Sequence, residues 1–178
     1  HLVVRGACWT NRIGGAPIRL REGDLIVFPQ GDPHVMSSAP GMRARPDLSA
    51  FARRPSPLPY VLEMGGGGPE RARPVCGFLG YDERPYNPLL TALPRMIHLP
   101  AAGGGATPGW LGTLLNIAVA ESGSARPGSE NVLARLSELM FVEAIRRYIE
   151  RLPPAQTGWL AGLRDPVVGQ ALAALHGG

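Results

Sequence analysis

The stretch "GDLIVFPQGDPH", Gly23 to His34, constrains the fold of this chain more than any other. Gly23 suits a turn whose torsion other residues avoid, and Asp24 to Phe28 are expected to form an inner strand. Pro29 stops ladder pairing, and Gly31 allows a tight turn that aims His34 inward. Two readings of His34 stand: a metal ligand in a working site, or a polar residue satisfied inside a core.

The surrounding third of the chain is β-like. "HLVV", "ACWT", "PIRL" and "DLIVF" are short apolar or alternating runs separated by Arg-Gly, Gly-Gly and Glu-Gly turn signals. Residues 39–59 are rich in proline and arginine and are expected to form an exposed loop. Its Arg43, Arg45, Arg53 and Arg54 are read as solvated. Strand character returns at "YVLEM" and "PVCGFLGYD", as a second hairpin. "NPLLTALPRMIHLP" is expected to carry the chain out of the β region, with a domain boundary near Gly103 to Gly105.

Beyond that boundary the apolar spacing is helical. Trp110, Leu111, Leu114, Leu115, Ala118 and Val119 form one helical stripe, and Leu133 to Ile149 a longer one. The longer helix is expected to take Ser129 as its N-cap and to end before Pro153. Asp165-Pro166 marks the cap and first position of a third helix. Three short helices carry more apolar surface than they can bury among themselves, so they should pack on the β region or on a second copy of the chain.

All 18 basic residues are arginine, and the formal charge is +4. That bias is better explained by a GC-rich genome than by a nucleic-acid surface. No apolar run reaches membrane-spanning length, and a cytoplasmic location is expected. The two cysteines, Cys8 and Cys76, are too few for a disulfide scaffold. They leave a metal, redox or packing role open.

The spacing of "GDLIVFPQGDPH" resembles the second motif of the cupin superfamily, small double-stranded β-helix barrels of jelly-roll type. In metal-binding members that histidine is a ligand. "HLVVRGACW" resembles the end of the first cupin motif, with Gly6 in the place of its last glycine. The histidine pair and glutamate that usually bind iron or manganese would precede His1.

If Arg5-Gly6 is a two-residue hairpin turn, His1 and Cys8 become diagonal neighbours on one sheet face. With His34 and Cys76 they would supply two nitrogens and two sulfurs, a set suited to tetrahedral zinc. Trp9, Phe28, Phe78 and Tyr81 are candidates to line an effector pocket, against the simpler role of core aromatics.

Taken in order, these segments are similar to the N-terminal cupin domain of AraC/XylS-type bacterial transcription regulators. The resemblance covers essentially the whole chain. It implies an α+β fold, with a cupin barrel over residues 1–100 whose N-terminal strands are missing, and a dimerisation and linker region of about three helices over 101–178. It further implies a homodimer that senses a small molecule, metal or oxidant, and that binds DNA only through an absent helix-turn-helix domain.

Some relatives with the same "VCG" cysteine respond to oxidants, which maps a redox role onto Cys76. The competing class is a small metal-dependent cupin enzyme. Glu22, Asp24, Asp32 and Glu63 read more simply as turn and strand-end residues than as general bases, and no catalytic residue is assigned.

Overall fold

The computed structural model describes residues 1–43, 63, 65, 71–80, 88–101, 110–124, 126–153, 162 and 165–176. Among the described residues, six antiparallel strands and four helices follow one another in this order: β1 (Leu2–Arg12), β2 (Ile18–Arg21), β3 (Leu25–Val27), β4 (His34–Ser37), β5 (Ala72–Val75), α1 (Pro88–Ala92), β6 (Ile97–Leu99), α2 (Trp110–Ser122), α3 (Ser129–Glu150) and α4 (Pro166–His176).

β1 is the hub. Its first half pairs with β5, and with β3 at Leu2, while its second half pairs with β2 and β4. Arg5-Gly6 is therefore not a hairpin turn, which corrects the expectation above. The strand runs straight through these residues, and the β1–β5 register shifts between Val3 and Arg5. Gly6, paired with Ala72 just beyond this irregularity, has φ 79°. A turn and a bulge both want a positive φ, so the dipeptide alone does not separate them. The deciding contact is with Arg71, whose carbonyl accepts the Ala7 amide at 3.2 Å.

An extended strand of this length would span about 35 Å. Yet the ring of His1, just before β1, touches the ring of His34, whose backbone pairs with Arg12 at the other end of β1. The sheet must curl back on itself for this to happen, and the result is an α+β, cupin-like architecture.

The two faces of the sheet bury different partners. Val3, Cys8, Leu20 and Ile26 cluster on one side, with Phe28 and Met36 packed against them. Leu2, Leu25, Ile97 and Leu99 face the other way and pack with Leu111, Leu115, Ala144 and Ile145 of α2 and α3. Adjacent residues thus serve opposite layers, as strand geometry requires. "NPLLTALPRMIHLP" stays in the β region, contrary to the expectation that it carries the chain out. It contributes α1 and then β6, which returns to pair with β3. Asp24 holds this return: its carboxylate accepts from the Arg21 and Ala101 amides and pairs with His98 at 3.1 Å. "YVLEM" lies largely outside the described residues.

Helices α2 and α3 form a hairpin around Leu114, Ala118 and Leu136. Ser129 is not the N-cap of α3. Gly128 takes that place with φ 85°, and the Ser129 hydroxyl donates to the buried Glu121 carboxylate at 2.6 Å. Arg126 closes the same cluster by donating to Glu121. Asp165 does cap α4, accepting from the Val167 and Val168 amides at 2.9 and 3.0 Å.

The hydrogen bond from Ser129, with help from Arg126 and Ser124, holds the Glu121 carboxyl below its ordinary pKa despite desolvation. A depressed carboxyl stabilises the fold above its unfolded value, about 4.3, and this contribution fades as pH falls through the folded value. Thermal melts followed by circular dichroism from pH 7 to pH 3 should therefore show an acid-dependent loss that Glu121→Gln diminishes. An identical acid loss in the variant would contradict this role.

Candidate functional site

Three residues distant in sequence meet at one end of the sheet. His1 is tied to β3 through its backbone, which exchanges two 2.9 Å hydrogen bonds with Ile26. His34 opens β4 after the turn that Gly31 makes with φ 67°. Cys76 is the first residue after β5, whose last residue, Val75, pairs with Leu2. The strand pairings thus deliver one side chain each to a common point.

The side chains form a line. His1 Nδ1 lies 2.7 Å from Cys76 Sγ, and His1 Nε2 lies 2.7 Å from His34 Nε2. His34 Nδ1 is 2.8 Å from the carbonyl oxygen of Asp32. A carbonyl only accepts, so His34 Nδ1 carries a hydrogen, and in neutral His34 Nε2 is an acceptor. His1 must then donate through Nε2, which leaves Nδ1 to accept from the Cys76 thiol. One carbonyl fixes the direction of the whole relay.

Phe28 stacks on His34 with ring centroids 3.9 Å apart and planes 8° from parallel, and it meets His1 edge-on at 6.2 Å. The His34 ring is thereby held in both rotation and tautomer. Asp32 is held in turn by Arg95 at 2.8 Å.

Cys76 is solvent-exposed as a residue. Desolvation around its sulfur pushes the thiol pKa up. The resting relay therefore holds a protonated thiol. If the thiol proton moves to His1 Nδ1, every hydrogen bond in the line survives, because His1 then donates at both nitrogens. Thiolate and imidazolium form without breaking a contact.

Comparison with known proteins adds to this geometry. A family model described as Cupin matches residues 1–150. The chain belongs to the cupin family. This cupin chain is also similar to full-length regulators. A protein named as an AraC-like transcription regulator from Streptomyces lividans is 32% identical over 179 residues, covering 99% of the chain and 56% of the relative. A second of that name, from Streptomyces antibioticus, is 31% identical with the same coverage. The helix-turn-helix-type transcriptional regulator AlkR of Acinetobacter baylyi is 24% identical, over 99% of the chain and 57% of the relative. The chain thus spans a little over half the length of these relatives. No solved structure matches.

Of the four zinc ligands expected for this cupin from sequence, the structure brings together His1, His34 and Cys76. Cys8 lies beyond the Gly6 irregularity, 6% exposed in the cluster with Val3, Leu20 and Ile26. The hairpin that would have set it beside His1 does not form. The remaining three do not fit a zinc ion as they stand. Ligands of a tetrahedral zinc bonded at 2.0–2.3 Å sit roughly 3.3–3.7 Å apart, whereas these contacts are 2.7 Å. His1 also turns a different nitrogen to each partner, and one ring cannot aim both at a single ion. Among the described residues, no group of three or more His, Cys, Asp or Glu is arranged to hold a metal.

The expected aromatic pocket does not gather either. Phe28 serves His34, and Trp9 lies on β1 opposite Arg19 and Ser37. Phe78 is 75% exposed, and Tyr81 lies outside the described residues. Arg43 is exposed, while Arg45, Arg53 and Arg54 lie outside the described residues. Sequence reasoning did not anticipate the Asp32 carbonyl, the Phe28 stack or the Asp24–His98 pair. Only the closeness of Phe28 and Asp32 to His34 in "FPQGDPH" hinted at the first two.

Proposed function

We propose that this cupin is the sensor half of an AraC-type transcription regulator and that the line Cys76–His1–His34 is its sensing element for two-electron oxidants. The observation that carries the reading is the 2.7 Å contact between an exposed thiol and an imidazole whose far nitrogen is already engaged. In this reading the Cys76 sulfur attacks one oxygen of a hydroperoxide. An S–O bond forms as the O–O bond breaks, so sulfur becomes a sulfenic acid and the peroxide is reduced to an alcohol or water. His1 Nδ1 takes the thiol proton and returns it to the departing oxygen. Oxidation replaces the S–H donor at the end of the relay with a bulkier S–OH group.

A reporter driven by the regulator that carries this domain tests the reading. Cys76→Ser is expected to cut the oxidant response at least tenfold, and an undiminished response would contradict it. The relatives' names support a regulator over a cupin enzyme. The carboxylates of Asp24 and Asp32 are also committed to structural contacts.

The output side of the proposal is a homodimer. α3 exposes Val132, Leu139 and Val142, at steps of seven and three residues, and α2 exposes Trp110 and Ile117, seven residues apart. Such spacing forms the narrow seam of a helix–helix contact between copies. Sedimentation of the wild-type chain should give a dimer, and Leu139→Glu with Val142→Glu should give a folded monomer. A wild-type monomer at tens of micromolar would contradict the assignment.

A further inference from the structure

The outer side of the sheet carries arginines where the helices stop. Leu2 and Val4 belong to the cluster beneath α2 and α3, whereas Val3 and Cys8 share the opposite cluster although five positions separate them. An odd separation on one face requires β1 to change phase once, and the register shift between Val3 and Arg5 supplies the change. Arg5, Ala7 and Trp9 therefore continue the side that Leu2 begins. Arg73 pairs directly with Arg5, and Arg21 with Ala7, so both fall on this side. Arg71 adjoins them, its carbonyl accepting the Ala7 amide at 3.2 Å. All four arginines are exposed. Among the described residues none of the four forms an ion pair. The nearby Glu22 carboxylate accepts instead from the Gly6 amide at 3.4 Å.

We propose that this arginine face binds the phosphate backbone of DNA without regard to base sequence. Arg5 and Arg73 stand directly opposite one another, and like charges so placed oppose strand pairing until an anion neutralises them. The side that bears them is the outside of a curled sheet, so it offers no concavity in which a small anion would be enclosed. A long polyanion needs none. It lies across the surface, and each guanidinium forks onto a phosphate. With adjacent strands about 4.8 Å apart, β5, β1 and β2 spread the four charges over roughly 10 Å. The number of arginines in the chain carries no such meaning; their placement on one side of three neighbouring strands does.

The choice of DNA as the polyanion rests on the regulator reading, but neither Cys76 nor an oxidant enters its test. A fluorescein-labelled duplex of arbitrary sequence is titrated with the chain over a series of potassium chloride concentrations, and binding is followed by anisotropy. The logarithm of affinity is expected to fall against the logarithm of salt with a slope of about −3 to −4, near 0.9 for each of four phosphates. Arg5→Ala with Arg73→Ala should reduce that slope by about 2 and weaken binding at least tenfold. Arg5→Lys with Arg73→Lys keeps both charges and should keep the slope. Arg135→Ala with Arg151→Ala removes the same charge from α3 and its C-cap, and should leave affinity within twofold. No binding by the wild type at the lowest salt, or an equal loss in the α3 pair, overturns the proposal. Poly-glutamate that displaces the duplex as well as unlabelled DNA does, charge for charge, would give the face to an acidic protein partner and overturn the DNA assignment. A silent oxidant reporter alongside this binding would count against the sensing line alone.

Discussion

Gly6→Ala is expected to lower the stability of the chain by roughly 3–5 kcal/mol, among the largest effects of any single substitution here. Two costs combine. At φ 79° an alanine pays the left-handed penalty of about 1–2 kcal/mol. Its Cβ would also lie 2.1 Å from the Arg71 carbonyl oxygen and 3.1 Å from the Arg71 carbonyl carbon. These are backbone atoms, so relief requires the β1–β5 ladder to part. That ladder carries Val75 and hence Cys76, and the variant should lose the relay geometry together with stability. Denaturant melts of Gly6→Ala and of Gly14→Ala make the comparison. Gly14 has the same φ of 79° with nothing within 4 Å of an added Cβ, so it reports the torsional cost alone. Equal losses in the two variants would contradict the crowding argument.

The second large effect concerns the relay. If His1 Nδ1 accepts the thiol proton as sulfur reacts, His1→Ala should slow peroxide oxidation of Cys76 at pH 7 by about a hundredfold, the lower end of the usual range for a positioned base. His34→Ala should slow it less, since it leaves the base in place and removes only the group that orders it. The same logic fixes a sign with pH. Desolvation pushes the Cys76 thiol up, so its intrinsic reactivity should keep rising with pH beyond the ordinary thiol value of about 8.5.

Much of this arrangement is legible in the chain before any coordinates. Gly23 and Gly31 have positive φ, as their turn roles require, and His34 is aimed inward by the turn that "PQGDPH" encodes. The apolar spacing of α2 and α3 marks both helices, and Asp165-Pro166 marks the start of α4. What escaped the sequence has one physical character: local signals satisfied by a distant partner. Arg5-Gly6 reads equally as turn or bulge until β5 arrives from beyond residue 70. Ser129 is a good capping residue, but Glu121 claims its hydroxyl across the helix hairpin. Cys8 follows a hairpin that does not form and ends among aliphatic side chains.

The distinction between a relay and a metal site has a practical consequence. Zinc held by His1, His34 and Cys76 would make the sulfur a bound thiolate, and modification of that sulfur would remove a ligand and release the ion. A hydrogen-bonded thiol is open to reagents at once, and Cys76 is exposed.

Mass-resolved kinetics of Cys76 oxidation by hydrogen peroxide, in tag-free wild type and His1→Ala with zinc content measured on the same samples, therefore separates a hydrogen-bonded relay from a metal site. The relay predicts sulfenic acid at Cys76 in wild type, at least tenfold slower oxidation in His1→Ala, and well under one zinc per chain. Equal rates in the two proteins, or about one zinc per chain that disappears with Cys76→Ser, would contradict it.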